Sequence, residues 1–232
     1  MGPHPSPTAS LLSSQKIGDV IQQAGELLVG SSAIAVLWEL LVRRSFLDEV
    51  LERTNTSTSV AEAGLVDVTF DFHAEIDWRH LLEGAVSIDA LFSWAAGWRD
   101  INMPRIRETA SRRGTRIRIV LPDPDNDETM SALAQRYGKT VDDVVVHIRS
   151  ALDTFLELKG EHGGRVRVWT VAFPHTFSLY LIDNRAVFAL YSHQRTEVSV
   201  PAFVCDNEGS LYRYFSDDFN SIVRRGGSGV ER

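Results

Sequence analysis

The strongest fold signal in this chain is Thr176-Phe-Ser-Leu-Tyr-Leu-Ile-Asp183, followed by Asn184-Arg-Ala-Val-Phe-Ala-Leu-Tyr-Ser-His193. Two apolar runs rich in β-branched and aromatic residues flank a short polar segment, a pattern typical of two antiparallel strands joined by a tight turn. We predict strands at Phe177–Ile182 and Ala186–Leu190, with the turn at Asp183. Successive side chains of a strand point to opposite faces of a sheet. One face of this hairpin should therefore carry five polar side chains: Thr176, Ser178, Tyr180, Tyr191 and His193.

Apolar runs of the same kind alternate with helical patterns on both sides of the hairpin, as in an α/β layered domain. Further strands are predicted at Ser87–Ala95, Arg116–Leu121, Val166–Val171 and Ala202–Cys205. Helices are predicted at Ile101–Arg113, Glu128–Tyr137, Val141–Lys159 and Leu211–Arg224. We therefore expect one α/β domain over residues 59–225, with a mixed central sheet flanked by helices.

The segments on either side of this domain have different patterns. Apolar residues recur at helical spacing over residues 16–58, with a break near Gly30, which predicts an N-terminal helical extension. Residues 1–15 are rich in Pro and Ser, lack the Lys or Arg of a secretory signal, and are expected to be disordered. Residues 226–232 are Gly-rich and are expected to form a flexible tail.

Composition restricts the possible partners and compartment. The formal net charge of -7 argues against a protein that holds nucleic acid by broad positive potential. Cys205 is the single cysteine, so an intrachain disulfide and a Cys-based metal site are excluded, and a reducing, cytoplasmic location is expected. The most apolar stretch, Leu27 to Val42, contains Glu39 and is shorter than the roughly 20 residues of a spanning helix. No transmembrane span is expected.

The hairpin resembles the signature of the phospholipase D superfamily, which is written H-x-K-x-x-x-x-D, then a turn, a strand and a G-S-x-N cluster. When the aspartate is aligned on Asp183, Thr176 stands in the place of the histidine and Ser178 in that of the lysine. Leu190, Tyr191 and His193 occupy the places of the glycine, serine and asparagine. The stretch from Ser87 to Asp123 is similar to the strand, helix and strand that open such domains, and the resemblance covers roughly Ala85 to Arg224.

The resemblance implies a catalytically degenerate domain, because neither Thr176 nor Ser178 can supply the nucleophilic imidazole or the ammonium of the family. We therefore expect a binding or regulatory module for a phosphate- or nucleotide-type ligand. Similar degenerate domains occur in bacterial regulatory and defence proteins. The family builds its site from two halves and this chain has one, so the resemblance implies a homodimer. No cofactor is expected.

Two interpretations of the polar face stay open. Its hydroxyl and imidazole groups can satisfy one another inside the fold, or they can line a pocket for a polar ligand. Arg195 follows on the same segment as His193, and Trp98 and Arg99 follow a predicted strand, where they can stack on and hold an anionic ligand. The candidate ligand-binding residues are Thr176, Ser178, Tyr180, Tyr191, His193, Arg195, Trp98 and Arg99.

An active phosphodiesterase or nuclease is the alternative function. It would use His175 or His193 as nucleophile or base, with Arg195 or Arg99 in place of the lysine, although His175 should face away from the pocket because adjacent strand residues alternate. His73 and His80 flank Asp77 without a zinc pattern, so no metal site is expected. A basic cluster is either an anion-binding patch or a solvated surface: Arg105, Arg107, Arg112, Arg113, Arg116 and Arg118.

Overall fold

The computed structural model of the chain describes residues 58–158, 164–191 and 200–225. Nearly all of these residues belong to one compact unit that begins at Ser59. The predicted N-terminal extension, apart from Thr58, lies outside the described residues, as do the segments 1–15 and 226–232. No helix among the described residues is both long and apolar enough to cross a membrane.

After the helical residues 58–63, seven strands and five helices follow one another in the described chain. The strands are β1 Leu65–Thr69, β2 Ser87–Leu91, β3 Arg116–Pro122, β4 Arg165–Val171, β5 Phe177–Ile182, β6 Arg185–Leu190 and β7 Ala202–Asp206. The helices are α1 Trp78–Leu82, α2 Ala96–Ser111, α3 Asp127–Tyr137, α4 Val141–Leu156 and α5 Ser210–Arg225.

All seven strands form one mixed sheet in the order β1-β7-β6-β5-β2-β3-β4. The pairs β2 with β3 and β3 with β4 are parallel. The pairs β2 with β5, β5 with β6, β6 with β7 and β1 with β7 are antiparallel. Helices connect the parallel strands, since a parallel pair needs a long crossover, whereas β5 and β6 are joined by a tight turn. The predicted α/β architecture with a mixed central sheet is confirmed.

Helices cover both faces of this sheet. On the first face, Ile88, Phe92 and Ile119 pack with residues of α1, α2 and α4, among them Trp98 and Phe155. On the second face, a smaller apolar cluster packs the sheet against α5. That cluster includes Leu91, Val120, Trp169, Leu179, Leu181, Phe188, Phe215 and Phe219. Each fully buried side chain of this size contributes about 1.5–3 kcal/mol to folding, so these two clusters supply the main driving force.

The predicted hairpin is present. Ser178 pairs with Ala189 and Ile182 pairs with Arg185, which leaves two residues in the turn. The first of them, Asp183, has a φ of 48°, a left-handed conformation that Asp tolerates better than most residues. The hairpin therefore presents Ser178 and Tyr180 to the first face of the sheet.

Three elements differ from the sequence-based expectation, and one of them is the short helix α1, which was not predicted. β2 ends at Leu91 and α2 begins at Ala96, although the apolar run suggested a strand as far as Ala95. Residues 92–95 lie outside the strand, and Ala95, with a left-handed φ of 45°, immediately precedes the helix. β1 was not predicted, since Leu65–Thr69 is short, mostly exposed and interrupted by a register shift between Leu65 and Asp67.

The close approach of Gly64 to Gly209 gives a test of the fold. Gly64 and Gly84 have nearly equal positive φ angles of 71° and 74°, so alanine at either position costs about 1–2 kcal/mol of backbone strain. A Cβ on Gly64 would also lie 2.6 Å from Cα of Gly209, while one on Gly84 meets no atom within 4 Å. We expect Gly64→Ala to lower the free energy of unfolding by about 1–3 kcal/mol more than Gly84→Ala. Equal losses in urea denaturation would contradict the crowded contact.

Candidate functional site

A cavity of about 650 Å³ opens at the edge of the sheet where β2 and β6 end. In sheets with parallel strands, ligands commonly bind beyond the carboxyl ends of the strands, and this cavity lies in that position beside the first turn of α2. Its lining includes Ser93 after β2, Ser178 on β5 and Tyr191 after β6. Three segments that are distant in sequence therefore contribute hydroxyl groups to one space.

The hydroxyl of Tyr191 is the centre of a hydrogen-bond network in this cavity. It accepts a hydrogen bond from the backbone N–H of Ser93 at 3.1 Å and one from Oγ of Ser178 at 2.8 Å. The hydroxyl of Tyr137, at the end of α3, donates to Oγ of Ser93 at 3.2 Å. Because a phenolic hydroxyl can both donate and accept, Tyr191 connects Ser93 and Ser178 within the cavity.

Aromatic rings form much of the cavity wall. The rings of Trp98 and Tyr180 lie 4.5 Å apart, and those of Trp94 and Tyr137 lie 4.4 Å apart. Burial raises the pKa of Tyr180 and of Tyr137 above the usual value, and the neighbouring Tyr191 raises both further. These phenols therefore stay protonated at neutral pH and act as neutral hydrogen-bond donors.

The N-terminus of α2 faces the same cavity. Ala96, Gly97 and Trp98 line it. The residue before the helix, Ala95, makes no side-chain capping bond, and the first turn contains no acidic residue. The first amide N–H groups of a helix have no partner within the helix and carry the positive end of its dipole. An acceptor bound in the cavity could receive hydrogen bonds from these amides.

The cavity has little formal charge. Its described lining contains the carboxylate of Asp71 and no Lys or Arg. Oδ1 of Asp71 accepts hydrogen bonds from the backbone N–H groups of His73 and Ala74, at 3.2 and 2.9 Å. The imidazole of His73 also lines the cavity, beside Gly97, whose Cβ position would lie 3.5 Å from the ring. Recognition here would depend on neutral donors, amides and one imidazole.

The structure brings only part of the predicted site together. Ser178, Tyr180, Tyr191 and Trp98 line the cavity. Thr176 does not: it is exposed, lies one residue before β5, and its carbonyl accepts the N–H of Tyr191 at 3.3 Å. The predicted residues His193 and Arg195 lie outside the described residues.

Arg99 has a different environment from the one expected. It lies in the first turn of α2, is only 7% exposed, and is not among the cavity-lining residues. Its guanidinium donates to the carbonyl of Trp94 and to Oγ1 of Thr154, each at 2.9 Å. Burial lowers the pKa of Arg99, against the raising effect of Asp100. Because α2 begins five residues earlier than predicted, Arg99 connects α2 to α4 instead of pointing to a ligand.

His175 is buried away from the cavity. It is 2% exposed, its ring packs edge-on against Phe173, and its carbonyl accepts a hydrogen bond from Arg136. Neither ring nitrogen has a hydrogen-bond partner within the described chain. Burial, and to a smaller extent the charge of Arg136, lowers the pKa of His175 to about 3. The expected orientation of His175 away from the polar face agrees with this position.

Several lining residues could not be identified from the sequence alone. Ser93 was assigned to the interior of a strand, and Tyr137 was assigned to a helix with no link to the hairpin. Their contacts join residues 44 and 98 positions apart, so no local pattern indicates them. Among the residues that the structure describes, no three His, Cys, Asp or Glu side chains are grouped as a metal site would require.

Comparisons with known proteins identify no family for this chain. No family model and no curated protein matches the sequence. A solved structure of TrmBL2, an archaeal chromatin protein with a novel mode of DNA binding, is similar to the chain at 15% identity and a TM-score of 0.43, and the match covers 99% of this chain and 72% of that one. A likeness of this size supports no statement about function.

The hydroxyl network can be tested through Tyr191. In a Tyr191→Phe variant the buried N–H of Ser93 and the hydroxyl of Ser178 both lose their acceptor, and an unsatisfied buried donor costs about 1–3 kcal/mol. We expect the free energy of unfolding to fall by about that amount in urea denaturation. The matched control is Tyr214→Phe, which changes a 63% exposed ring and should alter stability by less than about 0.5 kcal/mol.

The buried imidazole of His175 predicts an acid-dependent loss of stability. With a pKa of about 3 when folded and about 6.5 when unfolded, this group takes up a proton only in the unfolded state between those pH values. The free energy of unfolding should therefore fall as the pH is lowered from about 6.5, by up to about 1.4 kcal/mol per pH unit from this group. His175→Phe should flatten that part of the profile and remain stable at pH 7.

The control for this titration is His80→Gln, which replaces an exposed imidazole on α1. Its stability profile between about pH 5 and 7 should follow that of the unmodified protein. If the free energy of unfolding of His175→Phe falls with decreasing pH as steeply as that of the control, another group causes the acid sensitivity.

Proposed function

We propose that this domain is a binding module for a small phosphate-bearing ligand of nucleotide type, without catalytic turnover, and that it is a degenerate relative of the phospholipase D-like domains. One observation carries the proposal. The uncapped N-terminus of α2 and the hydroxyl groups of Ser178 and Tyr191 line a single cavity that also has aromatic walls. The hairpin that resembles the family signature contributes Ser178 and Tyr180 to this cavity.

Size and chemistry both suit a nucleotide. Small-molecule sites commonly have volumes of about 300–1,000 Å³, and the cavity of about 650 Å³ falls within that range. Helix N-termini bind phosphate through their free amides and dipole without needing a cation. Aromatic faces such as Trp94 or Phe72 can stack on a planar base. The same cavity therefore offers separate partners for the phosphate and for the base.

The described lining lacks groups that phosphodiester turnover would need. No ammonium or guanidinium group lines the cavity to stabilise charge on phosphoryl oxygens. His175 is buried outside the cavity, and Arg99 is engaged by Trp94 and Thr154.

The family resemblance is also the basis for the biological setting and the assembly that we propose. The setting is a regulatory or defence role in the cytoplasm of a bacterium, and the assembly is a homodimer. Light scattering that gives twice the mass of one chain would support the dimer.

Phosphodiester hydrolysis is a second candidate, and one observation favours it. The imidazole of His73 lines the cavity beside Gly97 at the N-terminus of α2, where it could attack a phosphorus atom held by the helix amides. An alcohol would leave, and water would then hydrolyse the phosphohistidine bond. Cleavage of a nucleotide diester that disappears in a His73→Ala variant would establish this function in place of simple binding.

Ala96 allows a sharp test of ligand binding. It is the first residue of α2, half-buried and at the cavity. A glutamate there is favourable to the helix dipole by about 0.3–1 kcal/mol, so Ala96→Glu should fold, yet its carboxylate would occupy and repel the phosphate position. We expect nucleoside monophosphates to bind the unmodified protein in calorimetry and to bind Ala96→Glu at least about tenfold more weakly, which corresponds to about 1.4 kcal/mol.

The matched control is Ala96→Gln, which has nearly the same shape without the charge and should retain most of the affinity. The corresponding nucleosides, which lack phosphate, should bind both variants equally. Equal affinity of the monophosphates for both variants would contradict a phosphate position at α2. Failure of all four common nucleoside monophosphates to bind would reject the nucleotide-type ligand.

A further inference from the structure

A group of arginine residues lies at the opposite end of the strands from the cavity. Arg116 on β3 is the cross-strand partner of Arg165 on β4, and Arg118 is the partner of Arg167. Neighbouring strands lie about 4.8 Å apart, and like charges placed directly opposite each other destabilise a sheet. The sheet therefore holds two arginine pairs at positions where a pair of opposite charge would be more stable.

A buried carboxylate holds one side of this arrangement in place. Asp89 on β2 accepts two hydrogen bonds from Arg118, at 2.7 and 2.6 Å, and its Oδ2 lies 3.2 Å from Arg116. Arg118 also donates to Asn220 on α5 at 2.9 Å and lies over the ring of Phe219. Arg118 is therefore committed to the packing of α5. Arg116, in contrast, keeps 52% of its side chain exposed.

Arg116 and Arg165 border a cleft of about 420 Å³, which is lined also by Val86, Ser87, Gly114 and Thr115. Oγ of Ser87 accepts a hydrogen bond from Arg116 at 2.8 Å, so the guanidinium is held in place and the serine proton is left to donate elsewhere. The side chain of Arg165 is exposed and makes no hydrogen bond or ion pair with the described residues. No carboxylate is among the residues described as lining the cleft.

We propose that this arginine cleft, formed by Ser87, Arg116 and Arg165, binds a phosphate group. A guanidinium presents two parallel N–H donors that match two oxygens of a phosphate. Here one guanidinium is already fixed by Ser87 and Asp89, which lowers the entropy cost of binding, and a second one without a described partner lies on the next strand. The bound phosphate would also place a negative charge beside Arg165, whereas Arg116 already has the carboxylate of Asp89 nearby.

The cleft is separate from the cavity. β2 begins at Ser87, which lines the cleft, and the cavity opens beyond the other end of β2, at Ser93. In the sequence, Arg116 and Arg118 belong to one basic cluster with the arginines of α2. The cleft instead combines Arg116 with Arg165, which is distant in sequence. A phosphate bound here would be an additional ligand, or a phosphate of a larger molecule that passes along this edge.

The test compares two phosphate sources on the full chain. Pyrophosphate binding is followed by calorimetry, and binding of a labelled single-stranded oligodeoxythymidylate by fluorescence anisotropy. We expect at least one probe to bind, and Arg165→Gln to weaken that binding about tenfold or more, because the variant loses the charge-assisted hydrogen bonds of the guanidinium. Arg165→Lys keeps the positive charge but loses the paired N–H donors of the guanidinium, so its affinity should lie between those of the unmodified protein and Arg165→Gln. If the oligonucleotide binds, its salt dependence should also decrease in Arg165→Gln.

The control is Arg107→Gln, an equal change of charge on the exposed side of α2, which should leave binding within about twofold. The two proposals can fail separately, because the cleft test changes Arg165 and the cavity test changes Ala96. Binding of pyrophosphate alone would identify a small anion, and binding of the oligonucleotide alone a nucleic acid backbone; both support the cleft. Absence of binding to either probe, an unchanged affinity in Arg165→Gln, or an equal loss in Arg107→Gln would overturn the proposal.

Discussion

The carboxylate of Asp183 fixes the position of the central hairpin, and the candidate site depends on that position. It accepts the backbone N–H of Ser87 at 2.8 Å and that of Val86 at 3.1 Å, while the N–H of Asp183 returns a bond to the carbonyl of Ser87 at 3.0 Å. Its own carbonyl accepts the hydroxyl of Tyr212 on α5 at 2.7 Å. One turn residue thus ties the hairpin to the first residue of β2 and to the helix on the second face.

This connection sets the register between β2 and β5. Ile88 lies opposite Ile182 and Leu91 lies opposite Leu179. Ser178, one residue beyond Leu179, and Ser93, two residues beyond Leu91, therefore lie at the same end of the sheet. A slip of one residue would move Ser178 to the other face, and the hydrogen bonds of Tyr191 to Ser93 and Ser178 could not both form. The geometry of the cavity is therefore set at the far end of the hairpin, where Asp183 is bound.

Much of the fold was predictable because strands with one buried face show a clear period of two. Phe177–Ile182 matched its prediction, and the alternation also placed Ser178, Tyr180 and Tyr191 on one face. The start of α2 was not predictable, since Phe92-Ser93-Trp94 has the composition of a strand although β2 already ends at Leu91. That difference changed the roles of Trp98 and Arg99. Tyr137 and Arg165 belong to sites that form by contacts between distant segments, and a local sequence pattern cannot predict such contacts.

The register shift in β1 has a consequence for how the molecule behaves in concentrated solution. Among the described strands β1 is the last on its side of the sheet. Val66 and Val68 are 53% and 44% exposed, a composition that would favour fibril-like stacking with a second chain. The irregularity between Leu65 and Asp67 interrupts the straight row of amide and carbonyl groups that such stacking needs. The exposed Asp67 adds a charge to the same short stretch. The bulge thus acts against aggregation at an edge whose side chains would otherwise promote it.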